Sequence, residues 1–142
     1  MKQTIVLILI IWAAIGHAQS GLELVDKKPI HQLRIYEVPS ENMQAFHDRF
    51  RDHAHRIMKK YDFPIVAMWE SKFNDKTEFI YLLEWEDEST MEGAWDNFMA
   101  DQEWKDIKAL TSKEHGTFVN NIEDRTLELA EYSPQVTLTK DK

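Results

Sequence analysis

Arg34, Tyr36, His53 and Glu84 are the side chains in this sequence whose chemistry could serve a small-molecule site. A histidine titrates near neutrality and can act as a general base when a partner orients it. His53 stands about 60° from the centre of an apolar helical stripe, so its ring could reach between helix and sheet or simply satisfy a backbone group. Arg34 and Glu84 sit among apolar residues in strand-like segments. A carboxylate perturbed by a cleft would be a base candidate. The plainer use of the two is a cross-strand or interface ion pair, because burying either charge alone costs several kcal/mol. Trp69, Trp85, Trp95 and Trp104 are many indoles for so short a chain. They can fill a core or an interface, or line a pocket for a planar ligand together with Arg34, Tyr36, His53 and Glu84, with Trp69 as the pocket candidate among them.

Other chemistries find no residues to carry them. There is no cysteine, hence no thiolate nucleophile or disulfide. His47, His53 and His55 have no i, i+4 pair among them, so no metal site and no cofactor is expected. No Gly-rich phosphate loop and no serine elbow motif occur. A formal net charge of −8 argues against nucleic acid as a partner.

The elements that must position these groups follow from periodicity. Residues 1–18 carry Lys2, an apolar run and the small residues Gly16 and Ala18, the pattern of a secretory signal peptide. A secreted or periplasmic protein is expected, with no integral membrane segment after cleavage. Residues 19–29 read as a flexible leader, residues 30–134 as one domain and residues 135–142 as a tail. Residues 30–38 alternate as a first strand, with Arg34 and Tyr36 on the face opposite His31, Leu33 and Ile35. Residues 41–61 form one helix, with Met43, Phe46, Phe50, Ala54, Ile57, Met58 and Tyr61 in a stripe and Ser40 as N-cap. Residues 65–72 and 77–86 form a hairpin. Its first strand sets Ile65, Ala67 and Trp69 against Val66 and Met68. Both faces of the hairpin are apolar and need cover.

From residue 94 to 104 the helical phase breaks. Trp95 and Phe98 share a face, whereas Trp104, Ile107 and Thr111 would lie nearly opposite on an unbroken helix. Asp101 is therefore read as the N-cap of a second short helix. Gly93 is an odd guest in the first of the pair, Gly116 closes the second, and residues 117–129 return as a last strand. The order βαββαβ gives an α+β, ferredoxin-like fold, a four-stranded antiparallel sheet with helices on one face. The other face is left bare, and a second copy of the same sheet is its natural cover, so a homodimer is expected.

With those elements in place, Leu33-Arg34-Ile35-Tyr36, Phe50-Arg51-Asp52-His53, Tyr81-Leu82-Leu83, Ala94-Trp95, Phe98 and Asp101-Gln102-Glu103-Trp104 resemble the NIPSNAP family over residues 30–134. Trp95, Phe98, Asp101 and Trp104 are the most recognisable part. The family usually has Pro where Gln102 stands and often Gly where Asp62 stands. The resemblance implies a dimeric α+β barrel, no resident cofactor, and a module that binds a small apolar or aromatic molecule or another protein. The alternative it brings is a cofactor-free monooxygenase-like enzyme acting on an aromatic substrate. The better-known members are mitochondrial, which the export signal sets apart.

Overall fold

The computed structural model describes residues 28–139. The expected signal peptide and nearly all of the leader lie outside the described residues. Four strands, β1 (Ile30–Glu37), β2 (Ile65–Phe73), β3 (Lys76–Trp85) and β4 (Asn121–Glu128), form one sheet in the order β2-β3-β1-β4, antiparallel throughout. Helices α1 (Met43–Arg49) and α2 (His55–Lys60) connect β1 to β2, and α3 (Glu88–Ala100) and α4 (Gln102–His115) connect β3 to β4. This is the expected βαββαβ chain order.

Register assigns each side chain to a face. Gln32, Arg34 and Tyr36 stand opposite Leu83, Tyr81 and Phe79, and these three β3 residues are buried. The core forms there, with Phe46, Phe50, Ala54, Ile57 and Met58 packed from the first helical region and Phe98 and Trp104 from the second. Rings of Phe63, Trp85, Trp95 and Phe98 meet in tilted or edge-to-face pairs at 4.8 to 5.8 Å. The opposite face carries Leu33, Ile35, Ile80, Leu82 and Trp69. Trp69 is 48% exposed.

The first helical region differs from one regular helix. It opens with a 3-10 turn at Ser40–Asn42, and a π-helical turn, Phe50–Ala54, separates α1 from α2. Phe46, Phe50 and Ala54 are spaced by four, and each such step drifts by about 40° on an α-helix. A wider turn removes part of that drift and keeps all three on the sheet. Ser40 is not a side-chain cap: its hydroxyl meets Thr77 Oγ1 at 2.9 Å. Asn42 instead ties the helix start to the chain after α4, donating to the Thr117 carbonyl at 3.0 Å.

In β2 the register shifts between Ile65 and Ala67, which places a bulge at Val66. Ile65 then shares the helix-facing side with Met68, while Ala67 and Trp69 point to the other. The expectation that Ile65 and Trp69 share a face is thereby corrected. The β2–β3 hairpin turns through Asn74 and Asp75, both at positive φ (48° and 60°), as a tight two-residue turn requires. Asp62, at φ 56°, ends the α2 region in the left-handed conformation that glycine usually takes. The last strand starts at Asn121, later than its apolar pattern suggests, because Phe118 turns inward and is buried ahead of it.

The break after α3 is at Asp101. Its backbone (φ −59°, ψ 125°) leaves the helical region, and its carboxylate accepts from the Trp104 N–H at 3.0 Å. The same carboxylate accepts from Lys60 Nζ at 2.8 Å and Tyr61 OH at 2.7 Å. One side chain thus starts α4 and fastens it to the end of α2. Trp104 then turns back to stack on Phe98, ring centroids 5.1 Å apart. Among the described residues no helix is long and apolar enough to cross a membrane.

Candidate functional site

A cleft of about 450 Å3 opens on the helix side, between the β1–β4 edge of the sheet and the helices. Its walls come from every layer. Arg34, Tyr36 and Ile122 stand on the strands, Arg49 on α1, Trp95 and Phe98 on α3, Trp104 and Lys108 on α4, and Phe118 on the loop before β4. A largely apolar cleft, part of it aromatic, with a few convergent polar groups is the general form of a small-molecule site.

Arg34 forms its sheet-side floor. The guanidinium lies 4.6 Å from the Trp95 ring centroid, donates to Tyr36 OH at 3.1 Å and forms an ion pair with Asp124 across the β1–β4 pairing. Burial works against its charge, but Tyr36, Tyr81 and Asp124 together hold its pKa above the ordinary arginine value. Its Nε is buried without a hydrogen-bond partner. Tyr36 OH in turn meets Tyr81 OH at 3.1 Å. Burial pushes the Tyr81 phenol well up, so it stays protonated.

Gln32, 2% exposed, braces this floor. Its amide donates to both Asp124 carboxylate oxygens at 2.9 and 3.0 Å, and its carbonyl accepts from the indoles of Trp85 at 3.1 Å and Trp95 at 2.8 Å. Every polar valence of that amide side chain is directed, which fixes the Trp95 ring over Arg34.

Arg49 occupies the opposite wall. Its guanidinium lies 3.9 Å from the Phe118 ring centroid and 5.5 Å from that of Trp104. Its side-chain hydrogen bond goes to Thr111 Oγ1 at 3.0 Å. Among the described residues no carboxylate forms an ion pair with it, and burial lowers its pKa to about 10. Lys108 stands nearby over the other side of the cleft, 5.7 Å from the Trp104 ring centroid. Burial first, and then repulsion from Arg49 and Lys105, lower its pKa.

Arg34 and Tyr36 therefore line the cleft, and three other pocket candidates stand elsewhere. His53 is exposed on the outer side of the π-helical turn, because Phe50 and Ala54 take the inward positions. Trp69 lies on the far face of the sheet, turned there by the bulge at Val66. Glu84 is also on the far face, opposite His31 rather than Arg34, whose β3 partner is Tyr81. His31 Nε2 approaches Glu84 at 2.9 Å, and Thr137, Leu138 and Thr139 all donate to its carboxylate. Burial alone would raise the Glu84 pKa, but those hydroxyl and backbone donors hold it down at about 2. It is a satisfied carboxylate, not a base poised near neutrality.

Gln32, Arg49, Lys108 and Phe118 escaped the sequence reading. Arg49 had a visible signal: it lies three residues after Phe46 and one before Phe50, beside the apolar stripe rather than across from it. Among the described residues no group of three His, Asp or Glu side chains could hold a metal ion.

A sequence model of the NIPSNAP family matches residues 31–134. No curated protein matches the chain. Among solved structures, an uncharacterised NIPSNAP-like domain protein from Burkholderia xenovorans superposes with a TM-score of 0.65 at 15% identity, covering 78% of this chain and 93% of that one. A NIPSNAP family protein of unknown function from Agrobacterium tumefaciens strain C58 gives 0.64 at 16%, covering 77% and 95%. A second NIPSNAP family protein from that organism gives 0.65 at 17%, covering 75% and 97%. At such identities these structures speak for the fold alone.

Proposed function

The chain belongs to the NIPSNAP family, and from that premise we propose that it is a homodimeric binding module whose helix-side cleft takes a small aromatic or apolar molecule. The observation that carries the reading is the cleft itself, in which Trp95, Trp104 and Phe118 supply flat apolar walls and Arg34, Tyr36 and Arg49 supply directed polar groups. Dimerisation is inferred from the other side of the sheet, where Leu33, Ile35, Ile80, Leu82 and Trp69 form an apolar surface outside the core. Covering it with an identical surface removes that area from water in a closed two-fold pair. Export through cleavage of residues 1–18 belongs to the same proposal. Nothing in the cleft favours the oxygenase alternative, since His53 and Glu84, the groups expected to move protons, lie outside it.

Native mass spectrometry of the protein purified from its own secretory route tests these parts together. The expected spectrum shows a dimer lacking the signal segment and carrying a retained small molecule. A monomer at micromolar concentration would defeat the sheet-covering argument. A chain still holding residues 1–18 would defeat export by cleavage. A protein that neither retains a molecule nor changes its tryptophan fluorescence with any member of a panel of one- and two-ring aromatics would defeat the binding reading.

A further inference from the structure

We propose that the cleft selects an anionic ligand, a one- or two-ring aromatic carboxylic acid whose carboxylate is held between Arg49 and Lys108. The proposal rests on the binding reading above and assigns its chemical class.

Charge is the first ground. The whole chain has a formal net charge of −8, yet three cationic side chains, Arg34, Arg49 and Lys108, line this one cleft. Arg34 is answered by Asp124. Among the described residues neither Arg49 nor Lys108 has an ion-pair partner, and the Arg49 side chain donates to Thr111. A guanidinium carries five N–H donors, so Arg49, which lines the cleft, keeps donor capacity beyond its bond to Thr111. Both side chains are half-buried, and withdrawing a cation from water without an anion is costly.

Geometry is the second. The Arg49 head lies over the Phe118 ring and near those of Trp104 and Phe46, and its hydrogen bond to Thr111 limits how it can turn before any ligand arrives. A preorganised guanidinium matches the two oxygens of a carboxylate in a bidentate pair, with Lys108 adding a point charge from the side. Between these cations lie Trp95, Trp104 and Phe118, which suit a flat apolar body. A volume near 450 Å3 is in the lower part of the range for ligand sites, which limits that body to one or two rings.

Isothermal titration of the full chain with 2-naphthoate and with its neutral isostere 2-naphthamide tests the assignment. Naphthoate is expected to bind at least tenfold tighter, about 1.4 kcal/mol, with the gap narrowing as sodium chloride is raised. Arg49→Gln and Lys108→Gln should each remove at least fivefold of the naphthoate affinity and leave naphthamide within twofold, while Arg49→Lys keeps part of the preference. Equal binding of the two probes, or an Arg49→Gln loss shared equally by both, would overturn the anionic assignment and leave aromatic binding standing. Failure of both probes to bind at millimolar concentration would overturn the binding reading with it. If Arg49→Gln does not fold, Lys108→Gln, at a more accessible position, decides the matter by the same comparison.

Discussion

Replacing Arg49 by Met should make the ligand-free protein more stable. Burial takes the guanidinium pKa down from the ordinary arginine value to about 10, which at 1.36 kcal/mol per pH unit puts the cost of holding it charged at roughly 3 kcal/mol. The head remains partly accessible, and solvent screening reduces that figure to about 2 kcal/mol. Met keeps an unbranched stem against Phe46 and Trp104 but gives up the guanidinium stacked on Phe118, worth about 1 kcal/mol. A net gain of about 1 kcal/mol is expected at neutral pH, a rise in melting temperature of about 4 °C for a domain of this size. The pH dependence carries a sign. Arg49 is protonated in both the folded and unfolded states below pH 10, so its cost is fully present there. It is relieved as pH climbs from about 10 towards the ordinary arginine value, because the folded form loses the proton first. The advantage of the Met variant should therefore shrink in alkali. Urea denaturation followed by tryptophan fluorescence, in a buffer without carboxylate or phosphate, measures it. A variant equal to or less stable than the parent would refute the reasoning, because it would mean that the buried guanidinium is already satisfied.

Two further outcomes are expected. Lys60, Tyr61 and the Trp104 N–H hold the Asp101 carboxyl well below the ordinary carboxylate range, so its contribution is present above the unfolded value and is lost as pH falls through the folded one. Asp101→Asn should lower the melting temperature by about 5 °C at pH 7 and flatten the acid limb of the stability curve, which thermal scans from pH 2 to 7 would show; an unchanged acid limb would remove Asp101 as the fastener of α2 to α4. Gly93 lies in α3, and a Cβ added there meets nothing within 4 Å, so Gly93→Ala should stabilise by up to about 1 kcal/mol. A loss in chemical denaturation would mean that the outer side of α3 is packed against something.

What could be read from residues alone was decided by how strongly each segment records its phase. The alternation of Ile30 to Glu37 and of Phe79, Tyr81, Leu83 and Trp85 identified both central strands and sorted their residues onto two faces, without saying which face meets the helices. The conflict between Trp95 and Trp104 identified the helix break and Asp101 as its cap. The run Ile65-Val66-Ala67-Met68-Trp69 is apolar at every position, so it carries no mark of the extra residue at Val66. The side of Trp69 could not be recovered from it. Arg34 and Glu84 failed as a pair for a different reason. Their separate alternations were legible, but the register that sets Arg34 opposite Tyr81 and Glu84 opposite His31 is a long-range property. The cleft wall built by Arg49, Lys108 and Phe118 is likewise assembled from three segments that approach only in the folded chain.

The irregularity in β2 also bears on how the protein stays in solution. β2 and β4 are the two margins of the sheet, where unpaired backbone groups invite strands of other molecules to add. The bulge at Val66 bends one margin out of the flat geometry that such addition needs, and the charged side chains of Glu123, Arg125 and Glu128 stand along the other. Growth of an open ladder from copy to copy is thus discouraged at both ends. The apolar surface that remains is a face, and a face, unlike a strand edge, offers nothing further to pair once it has been covered.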